Sequence, residues 1–311
     1  MHFRYFIKET VQRSPTIKFI KTTHKLSERL LNRTERVMAD VDPARWHEHY
    51  YGLPANRWSY FKGKSYWITG AGTGYGRALA CALAAAGAQI FLTGRRVVKL
   101  QETIQEIASL KIPTENCHVI EGDITDPEQI NRACTRIRGL CPALDGLVNN
   151  AAINDPQGFP TPLQLSSPET WNLMMNTNVT AQWLITRSIW PHLHASGHVR
   201  VLFISSKAGW ESFPGSAIYN VTKAALNSLT HLIAAEYAHS FPGEDIQINA
   251  LVPGHARTEM NPNATHNPYQ IVSMALLLLS QPRGGPNGRF FHQNGRHLSF
   301  GETEPYDKPL V

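Results

Sequence analysis

Three residues between positions 201 and 223 have the types and spacing needed for proton transfer. Tyr219 and Lys223 are four residues apart in a run that predicts a helix over residues 216–240, so both side chains leave the same helix face. An ammonium beside a phenol favours the phenolate and lowers the tyrosine pKa from about 10, which suits proton exchange with an alcohol or carbonyl near neutral pH. Ser206, at the end of an apolar strand, adds a hydroxyl for the same substrate oxygen. Taken alone, the pair also fits a half-buried tyrosine beside a solvated lysine.

A glycine-rich turn lies nearer the amino terminus. An apolar strand, residues 65–69, runs into GAGTGYG, residues 70–76, and then into an alanine-rich helix that ends at Gly87. This order of elements places backbone N–H groups and a helix N-terminus against a phosphate, although a purely structural turn would have the same composition. The spacing fails G-x-G-x-x-G and satisfies T-G-x-x-x-G-x-G. The candidate phosphate contacts are Gly70, Thr73, Gly74, Tyr75 and Gly76.

Strands and helices alternate from residue 64 onward, which predicts βαβ units and a parallel sheet covered on both faces. The fold class is therefore α/β, a doubly wound parallel sheet of about seven strands with helices on both faces. The expected strands cover residues 65–69, 89–94, 117–122, 144–150, 199–206, 245–252 and 297–300. The expected helices cover residues 97–110, 127–140, 168–195, 216–240 and 268–280.

Residues 1–60 differ from the rest and are predicted to be a basic, helical N-terminal extension, with the main domain at 61–311. Residues 1–36 hold nine Lys or Arg against three Glu, which accounts for the whole net charge of +6. No compact apolar run follows the basic start, so a signal peptide is not indicated. We expect an arm that packs on the main domain or on a neighbouring subunit, with an acidic partner or membrane surface as the alternative.

The composition bounds the remaining function classes. Hydrophobic residues make up 42% and charged residues 17% of the 311 residues, and no stretch is apolar for long enough to span a membrane. The main domain is close to neutral, which argues against nucleic-acid binding. The four cysteines form no CxxC pair and are interpreted as reduced packing residues of a cytoplasmic protein. The histidine groups at 47–49 and 192–198 lack the spacing of a metal site, so no metal is predicted.

The ordered motifs resemble the short-chain dehydrogenase/reductase family, in the branch that carries TGxxxGxG and YxxxK. The resemblance covers about four fifths of the chain, residues 62–302. It rests on the glycine turn followed in order by Asp123, NNAA at 149–152, Asn178, Ser206, Tyr219 with Lys223, Pro253 with Gly254, and Thr258. It implies a Rossmann-like fold, a nicotinamide cofactor and a homo-oligomer, either a dimer or a tetramer. Alanine replaces the usual family glycine at Ala152 and Ala181.

The resemblance also implies a role for each catalytic residue. Tyr219 would be the acid of carbonyl reduction and the base of alcohol oxidation, and Ser206 would hydrogen-bond the substrate oxygen. Lys223 would lower the tyrosine pKa and hold the nicotinamide ribose. Asn178 would hold a water that links Lys223 to solvent.

The remaining cofactor contacts also follow from the resemblance. Asp123 and Ile124 would contact the adenine, and the backbone near Asn149 and Ala151 would contact the adenosine ribose. Thr258 would reach the carboxamide or the phosphates after the Pro253-Gly254 turn has passed the nicotinamide.

The end of the second strand bears on the choice of cofactor. NAD sites place an acid there to bind the ribose 2′-hydroxyl, whereas this chain has Arg95 and Arg96. Guanidinium groups suit a 2′-phosphate, so NADP(H) is expected, with the alternative that both arginines are only solvated. The predicted function is interconversion of a carbonyl and a secondary alcohol on a small-molecule substrate, as in a carbonyl reductase. The alternatives are a dehydratase or epimerase, and a non-catalytic nucleotide-sensing or scaffolding protein.

Overall fold

The computed structural model describes residues 42–298. The helices expected within residues 1–41 and the end of the last expected strand lie outside this range. Among the described residues, no helix combines the length and the apolar character that a membrane crossing requires.

In the described part of the chain, one mixed sheet of eight strands lies at the centre of the fold, in the order β3-β2-β1-β4-β5-β6-β7-β8. Every pairing is parallel except that of β7 with β8. The strands are β1 Ser65–Thr69, β2 Gln89–Gly94, β3 Cys117–Glu121, β4 Gly146–Asn149, β5 His198–Ile204, β6 Asp245–Val252, β7 Phe290–His292 and β8 His297–Leu298.

The predicted fold class is confirmed, and the sheet contains one strand more than expected. Strand β7 pairs in parallel with β6, with Ala250 opposite Phe290. The expected last strand near His297 is β8, which runs antiparallel to β7. Strand β7 escaped the sequence pattern because three residues are too few to show a two-residue period.

The helices lie on both faces of the sheet. They are α1 Trp46–His49, α2 Ala55–Trp58, α3 Gly74–Ala85, α4 Val97–Ser109, α5 Pro127–Leu140, α6 Pro168–Met175, α7 Ala181–His194, α8 Ala217–Ser240 and α9 Val272–Leu279. The expected helix over residues 168–195 is interrupted by a π-helical turn, Asn176–Thr180.

Two hydrophobic layers hold the helices to the sheet. Tyr66 and Ile68 of β1 belong to the layer that also contains α3, α4 and α9. The intervening Trp67 belongs to the opposite layer, with α5, α7 and α8. Adjacent strand residues face opposite sides, so a strand buried on both faces reads as a continuous apolar run.

Residues 43–61 contribute to the first of these layers. The side chains of Tyr51, Leu53, Trp58 and Phe61 in this segment are buried, and Phe61 is 0% exposed. The Trp58 ring stacks on Trp46 at a centroid distance of 6.0 Å. Aromatic burial of this kind contributes a large apolar area, so this part of the chain is integral to the hydrophobic core.

Candidate active site

A cleft opens at the carboxyl ends of the strands, where β1 and β4 lie side by side. The chain leaves β1 toward β2 and β3 on one side, and β4 continues toward β5 and β6 on the other. Ligands of open α/β sheets bind at such a switch point. Of the predicted site residues, those that line the cleft are Gly70, Thr73, Gly74, Tyr75, Arg95, Arg96, Asp123, Ile124, Ala151, Tyr219, Lys223, Pro253 and Thr258.

The remaining predicted residues, Gly76, Asn149, Asn178, Ser206 and Gly254, are not among those that line the cleft. Gly76 closes the glycine turn and Gly254 the Pro253 turn, whereas Asn178 and Asn149 are fully buried. The Asn149 side chain donates to Thr186 Oγ1 at 2.9 Å, away from the cleft. The predicted contact of Asn149 with the adenosine ribose would therefore be made by its backbone, because its side chain packs β4 against α7.

The glycine turn requires glycine at three of its positions. Gly70 has φ +63°, and a Cβ there would lie 2.8 Å from the Ala151 Cα. A Cβ on Gly76 would lie 2.3 Å from the Gly70 carbonyl oxygen, and one on Gly74 would lie 2.8 Å from Thr258 Cγ2. The turn therefore packs backbone against backbone, which leaves the start of α3 open to an approaching phosphate.

A buried hydroxyl joins the glycine turn to the end of β4. Thr69 Oγ1 accepts hydrogen bonds from the backbone N–H groups of Asn150 and Ala151, each at 3.1 Å. The Asn150 side chain in turn donates to the Gly70 carbonyl at 3.1 Å. These contacts hold the two strand ends at a fixed separation across the floor of the cleft.

Cationic side chains surround the cleft at the end of β2. Arg95 lies 3.8 Å from Asp123 and Arg96 lies 2.5 Å from Glu259, and the arginine side chains are 67% and 58% exposed. Lys99 also lines the cleft. Sequence reasoning missed Lys99 and Glu259. Lys99 lies in the first turn of the helix that begins directly after Arg96, so its place in the sequence could have suggested it, whereas nothing in the sequence connected Glu259 to Arg96.

The catalytic candidates converge from β5 and α8. Ser206 follows β5, and its hydroxyl accepts the Ala208 N–H at 3.2 Å. Tyr219 and Lys223 lie in the first two turns of α8, with Lys223 Nζ 5.6 Å from the Tyr219 ring centroid. Lys223 is 2% exposed and donates to the Ile204 carbonyl at 2.9 Å. Ser206, Tyr219 and Lys223, which the sequence analysis proposes for proton transfer, therefore lie at the end of β5.

Burial dominates the titration of the tyrosine–lysine pair. It raises the pKa of Tyr219 to about 12, against a smaller lowering by the hydrogen bond with Ser206. It also lowers the pKa of Lys223 to about 8. Lys223 is not among the groups that shift the pKa of Tyr219; its ammonium donates instead to the Ile204 carbonyl.

Asn178 sits in the π-helical turn and ties three elements together. Its Oδ1 accepts the Ile153 N–H at 2.8 Å. Its Nδ2 donates to the Ile153 carbonyl at 2.9 Å and to Thr222 Oγ1 at 3.1 Å. Thr222 immediately precedes Lys223, so Asn178 helps to fix the start of α8. Single π turns often mark functional positions.

The loop after β6 covers the glycine turn. Gly254 has φ +72°, and its carbonyl accepts the Tyr75 hydroxyl at 3.1 Å. The same Tyr75 oxygen accepts the Ala256 N–H at 3.0 Å. Thr258 pairs with Asn261 in a tight hairpin, which places Glu259 and Met260 on the wall of the cleft.

Known proteins resemble this chain over most of its described part. A family model described as short chain dehydrogenase matches residues 64–268. A 3-oxoacyl-(acyl-carrier-protein) reductase, FabG, of Aquifex aeolicus is 28% identical over 75% of this chain and 97% of its own length. Dehydrogenase/reductase SDR family member 4 of Rattus norvegicus is 32% identical over 62% of this chain and 66% of its own. A sulfoacetaldehyde reductase of Chromohalobacter salexigens is 30% identical over 62% and 72%.

Solved structures have the same fold. A short chain dehydrogenase from Pseudomonas syringae superposes with a TM-score of 0.68 at 30% identity, covering 76% of this chain and 96% of its own. One from Escherichia coli CFT073, complexed with NADPH, has a TM-score of 0.68 at 25% identity over 76% and 98%. The cleft at the switch point, the glycine turn and these matches agree. The chain belongs to the short-chain dehydrogenase/reductase family of nicotinamide-dependent oxidoreductases.

Proposed function

We propose that this protein is an NADP(H)-dependent reductase that converts a carbonyl into a secondary alcohol, with Tyr219 as the proton donor. The observation that carries the proposal is the convergence of Ser206, Tyr219 and the buried Lys223 at the end of β5, beside a cleft whose far end holds Arg95, Arg96 and Lys99. A proton donor at one end of the cleft suits a substrate beside the nicotinamide. Cations at the other end suit the 2′-phosphate of the adenosine half of NADP(H).

The residues present fit that cofactor. The glycine turn admits a diphosphate where side chains would collide, and no acid follows β2 to repel a 2′-phosphate. Arg95, Arg96 and Lys99 would hold the 2′-phosphate, with Asp123 and Ile124 beside the adenine. Bound there, the nicotinamide supplies the hydride.

The protein supplies the proton and the orientation. With a pKa of about 12, the Tyr219 phenol is protonated at neutral pH and can donate to the oxygen that gains negative charge. The Ser206 hydroxyl donates to the same oxygen, so that the charge meets donors already in place. Lys223 would hold the nicotinamide ribose, and Asn178 would hold a water that leads back to solvent. A protonated Tyr219 is the form that carbonyl reduction requires.

The proposal is tested by NADPH oxidation against a panel of carbonyl compounds. The panel includes a 3-oxoacyl thioester and sulfoacetaldehyde, the substrate types for which two of the relatives are named. We expect Tyr219→Phe to lose activity on the order of 100- to 10,000-fold while its affinity for NADPH is retained. Arg95→Asp should shift the preference toward NADH. Tight NADPH binding without turnover of any substrate, or turnover unaffected by Tyr219→Phe, would favour the sensor alternative.

We further propose a cytoplasmic homo-oligomer. All four cysteines are free thiols, which suits a reducing compartment. Trp171, Leu173 and Trp183 on α6 and α7 are 40%, 45% and 40% exposed, and exposed apolar groups of this size are common at subunit contacts. Light scattering of the purified full chain gives the subunit number.

A further inference from the structure

Arg77, in the first turns of α3, holds the peptide that faces the phosphate position. Its Nε and Nη2 atoms donate to the Gly72 carbonyl oxygen at 3.0 and 2.5 Å. In a trans peptide the carbonyl and the next N–H point in opposite directions, so fixing Gly72 also fixes the N–H of Thr73. Thr73 lines the cleft and precedes the first residue of α3, where free N–H groups bind anions.

Two carboxylates on α4 hold Arg77 in turn. Glu102 lies 2.9 Å and Glu106 lies 3.5 Å from the guanidinium, whose side chain is 22% exposed. The two acids are four residues apart and share one helix face. Glu102 also binds Lys99 at 2.9 Å, so the same acid contacts the cationic end of the cleft.

A tyrosine behind α4 fixes Glu106. The Tyr269 hydroxyl donates to Glu106 Oε1 at 2.7 Å, and Tyr269 is 6% exposed. The ring of Tyr51 stacks on that of Tyr269 at 5.8 Å with an interplanar angle of 6°. Tyr51 is 1% exposed and lies before residue 64, where the family match begins. Contacts therefore run without a gap from the segment before the family domain to the glycine turn.

We propose that residues 43–61 support the phosphate-binding turn through Tyr51, Tyr269, Glu106 and Arg77, and that Arg77 is the positioning residue at the end of this series. The segment would thereby set the affinity for the dinucleotide rather than the chemistry at Tyr219. The inference rests on the proposed function only in taking the diphosphate of the cofactor to bind at the glycine turn.

The first test separates the phosphate turn from the rest of the cleft. Dissociation constants of NADPH, 5′-ADP and 2′-AMP are measured for the full chain and for Arg77→Gln. We expect Arg77→Gln to weaken NADPH and 5′-ADP about five- to tenfold, because the Gly72–Thr73 peptide is released. Binding of 2′-AMP, which lacks a diphosphate, should change less than about twofold. The kcat at saturating NADPH should be unchanged while the KM for NADPH rises.

Equal losses for 5′-ADP and 2′-AMP, or no loss for either, would overturn the inference. The outcome is independent of the proposed function. A chain without carbonyl turnover still reports through 5′-ADP. A chain that prefers NADH shows weak 2′-AMP binding in the unmodified protein, and the 5′-ADP comparison remains decisive.

The second test asks whether the segment before the family domain takes part. Tyr51→Leu removes the ring stack, and Tyr269→Phe removes only the hydroxyl that binds Glu106. Each should weaken 5′-ADP about two- to threefold, and the double variant should be no weaker than either alone, because both act along one series. Tyr51→Phe is the matched control, since the Tyr51 hydroxyl has no hydrogen-bond partner among the described residues, and it should leave 5′-ADP binding unchanged.

Thermal unfolding of the same variants separates support from general stability. A lower melting temperature for Tyr51→Leu with unchanged 5′-ADP affinity would overturn the inference, as would fully additive losses in the double variant. A loss of 5′-ADP affinity in Tyr269→Phe at an unchanged melting temperature supports it most directly.

Discussion

Lys223 is a buried cation whose position is costly for folding. Desolvation lowers its pKa from 10.5 to about 8, and the Ile204 carbonyl is its hydrogen-bond acceptor at 2.9 Å. A buried ammonium that is retained under this penalty is typical of a functional site. Activity and stability should therefore oppose one another at this residue.

Lys223→Met is expected to stabilise the fold and to abolish the proposed reductase activity. Removal of the desolvated charge should raise the free energy of unfolding at pH 7 by about 1–3 kcal/mol, after the lost hydrogen bond is subtracted. Because the folded pKa lies below the unfolded one, the unfolded chain binds more protons between pH 8 and 10.5, and the wild type gains stability as the pH rises through that window.

Urea denaturation of both proteins from pH 7 to 10.5 measures the difference. The stability advantage of Lys223→Met should shrink as the pH rises. A variant that is less stable than the wild type at pH 7, or an advantage independent of pH, would contradict the desolvation argument.

At the scale of the element, the loop after β6 and the end of β2 meet across the cleft. Arg96 reaches Glu259 at 2.5 Å, and both side chains are about half exposed. The pair connects the hairpin at Thr258 to the side of the cleft where the 2′-phosphate is proposed to bind. The Glu259 carboxylate therefore competes with the proposed 2′-phosphate for the Arg96 guanidinium.

Glu259→Gln is expected to tighten NADPH binding up to about fivefold, since an exposed ion pair contributes roughly 0–1 kcal/mol. NADH binding should not change, because it has no 2′-phosphate to compete for Arg96. Cofactor titrations at low and high salt provide the measurement, and the gain should fade as salt screens the charges.

Glu128→Gln is the matched control for this prediction. It removes an exposed pair with Arg132 on α5, neither member of which lines the cleft, and should leave NADPH binding as it is. Weaker NADPH binding in Glu259→Gln would show that the acid orients Arg96 instead of competing for it.

Neither the π-helical turn nor the Arg96–Glu259 pair could be predicted from the sequence, and each has a physical reason. The π turn at Asn178 leaves the apolar spacing of its helix almost intact, so a single helix was the natural reading of residues 168–195. The Arg96–Glu259 pair joins loops that are 163 residues apart. The glycine turn and the order of Ser206, Tyr219 and Lys223 could be predicted from the sequence because each lies within one short segment. The raised pKa of the tyrosine could not be predicted, because the burial that causes it depends on the whole fold.

At the scale of the whole molecule, a second charged cluster holds the sheet together at the edge opposite the cleft. Asp145, just before β4, accepts from Lys64 Nζ at 3.1 Å and from the Ser65 N–H at 2.7 Å. His198, at the start of β5, lies 2.7 Å from the same carboxylate. Burial raises the pKa of Asp145, but these hydrogen bonds outweigh it and hold the pKa below its usual range.

Asp145→Asn is expected to lower the free energy of unfolding at pH 7 by about 1–3 kcal/mol, because hydrogen bonds to a charged acceptor are lost. A lowered carboxyl pKa stabilises the fold above the unfolded value of about 3.9 and ceases to do so as the pH falls through the folded value. Denaturation curves from pH 7 down to 3 should show the difference between the two proteins closing.

The kinetic constants of Asp145→Asn provide the control. The KM for NADPH should stay at the wild-type value, because the cluster lies at the amino ends of the strands. A raised KM, or a stability difference that persists below pH 3, would contradict this account.

The order of the strands reverses between β1 and β4, and this position divides the chain into two consecutive parts. The residues proposed to select the cofactor, from the glycine turn to Asp123, precede β4, and those proposed for proton transfer, from Asn178 to Lys223, follow it. The two parts of the chain also meet outside the cleft, since Tyr269 donates to Glu106 at 2.7 Å and α9 packs in the same hydrophobic layer as α3 and α4. Recombination within the β3–β4 connection would therefore exchange one half without disturbing the other only where these contacts, and the Arg96–Glu259 pair with them, are retained in the new combination.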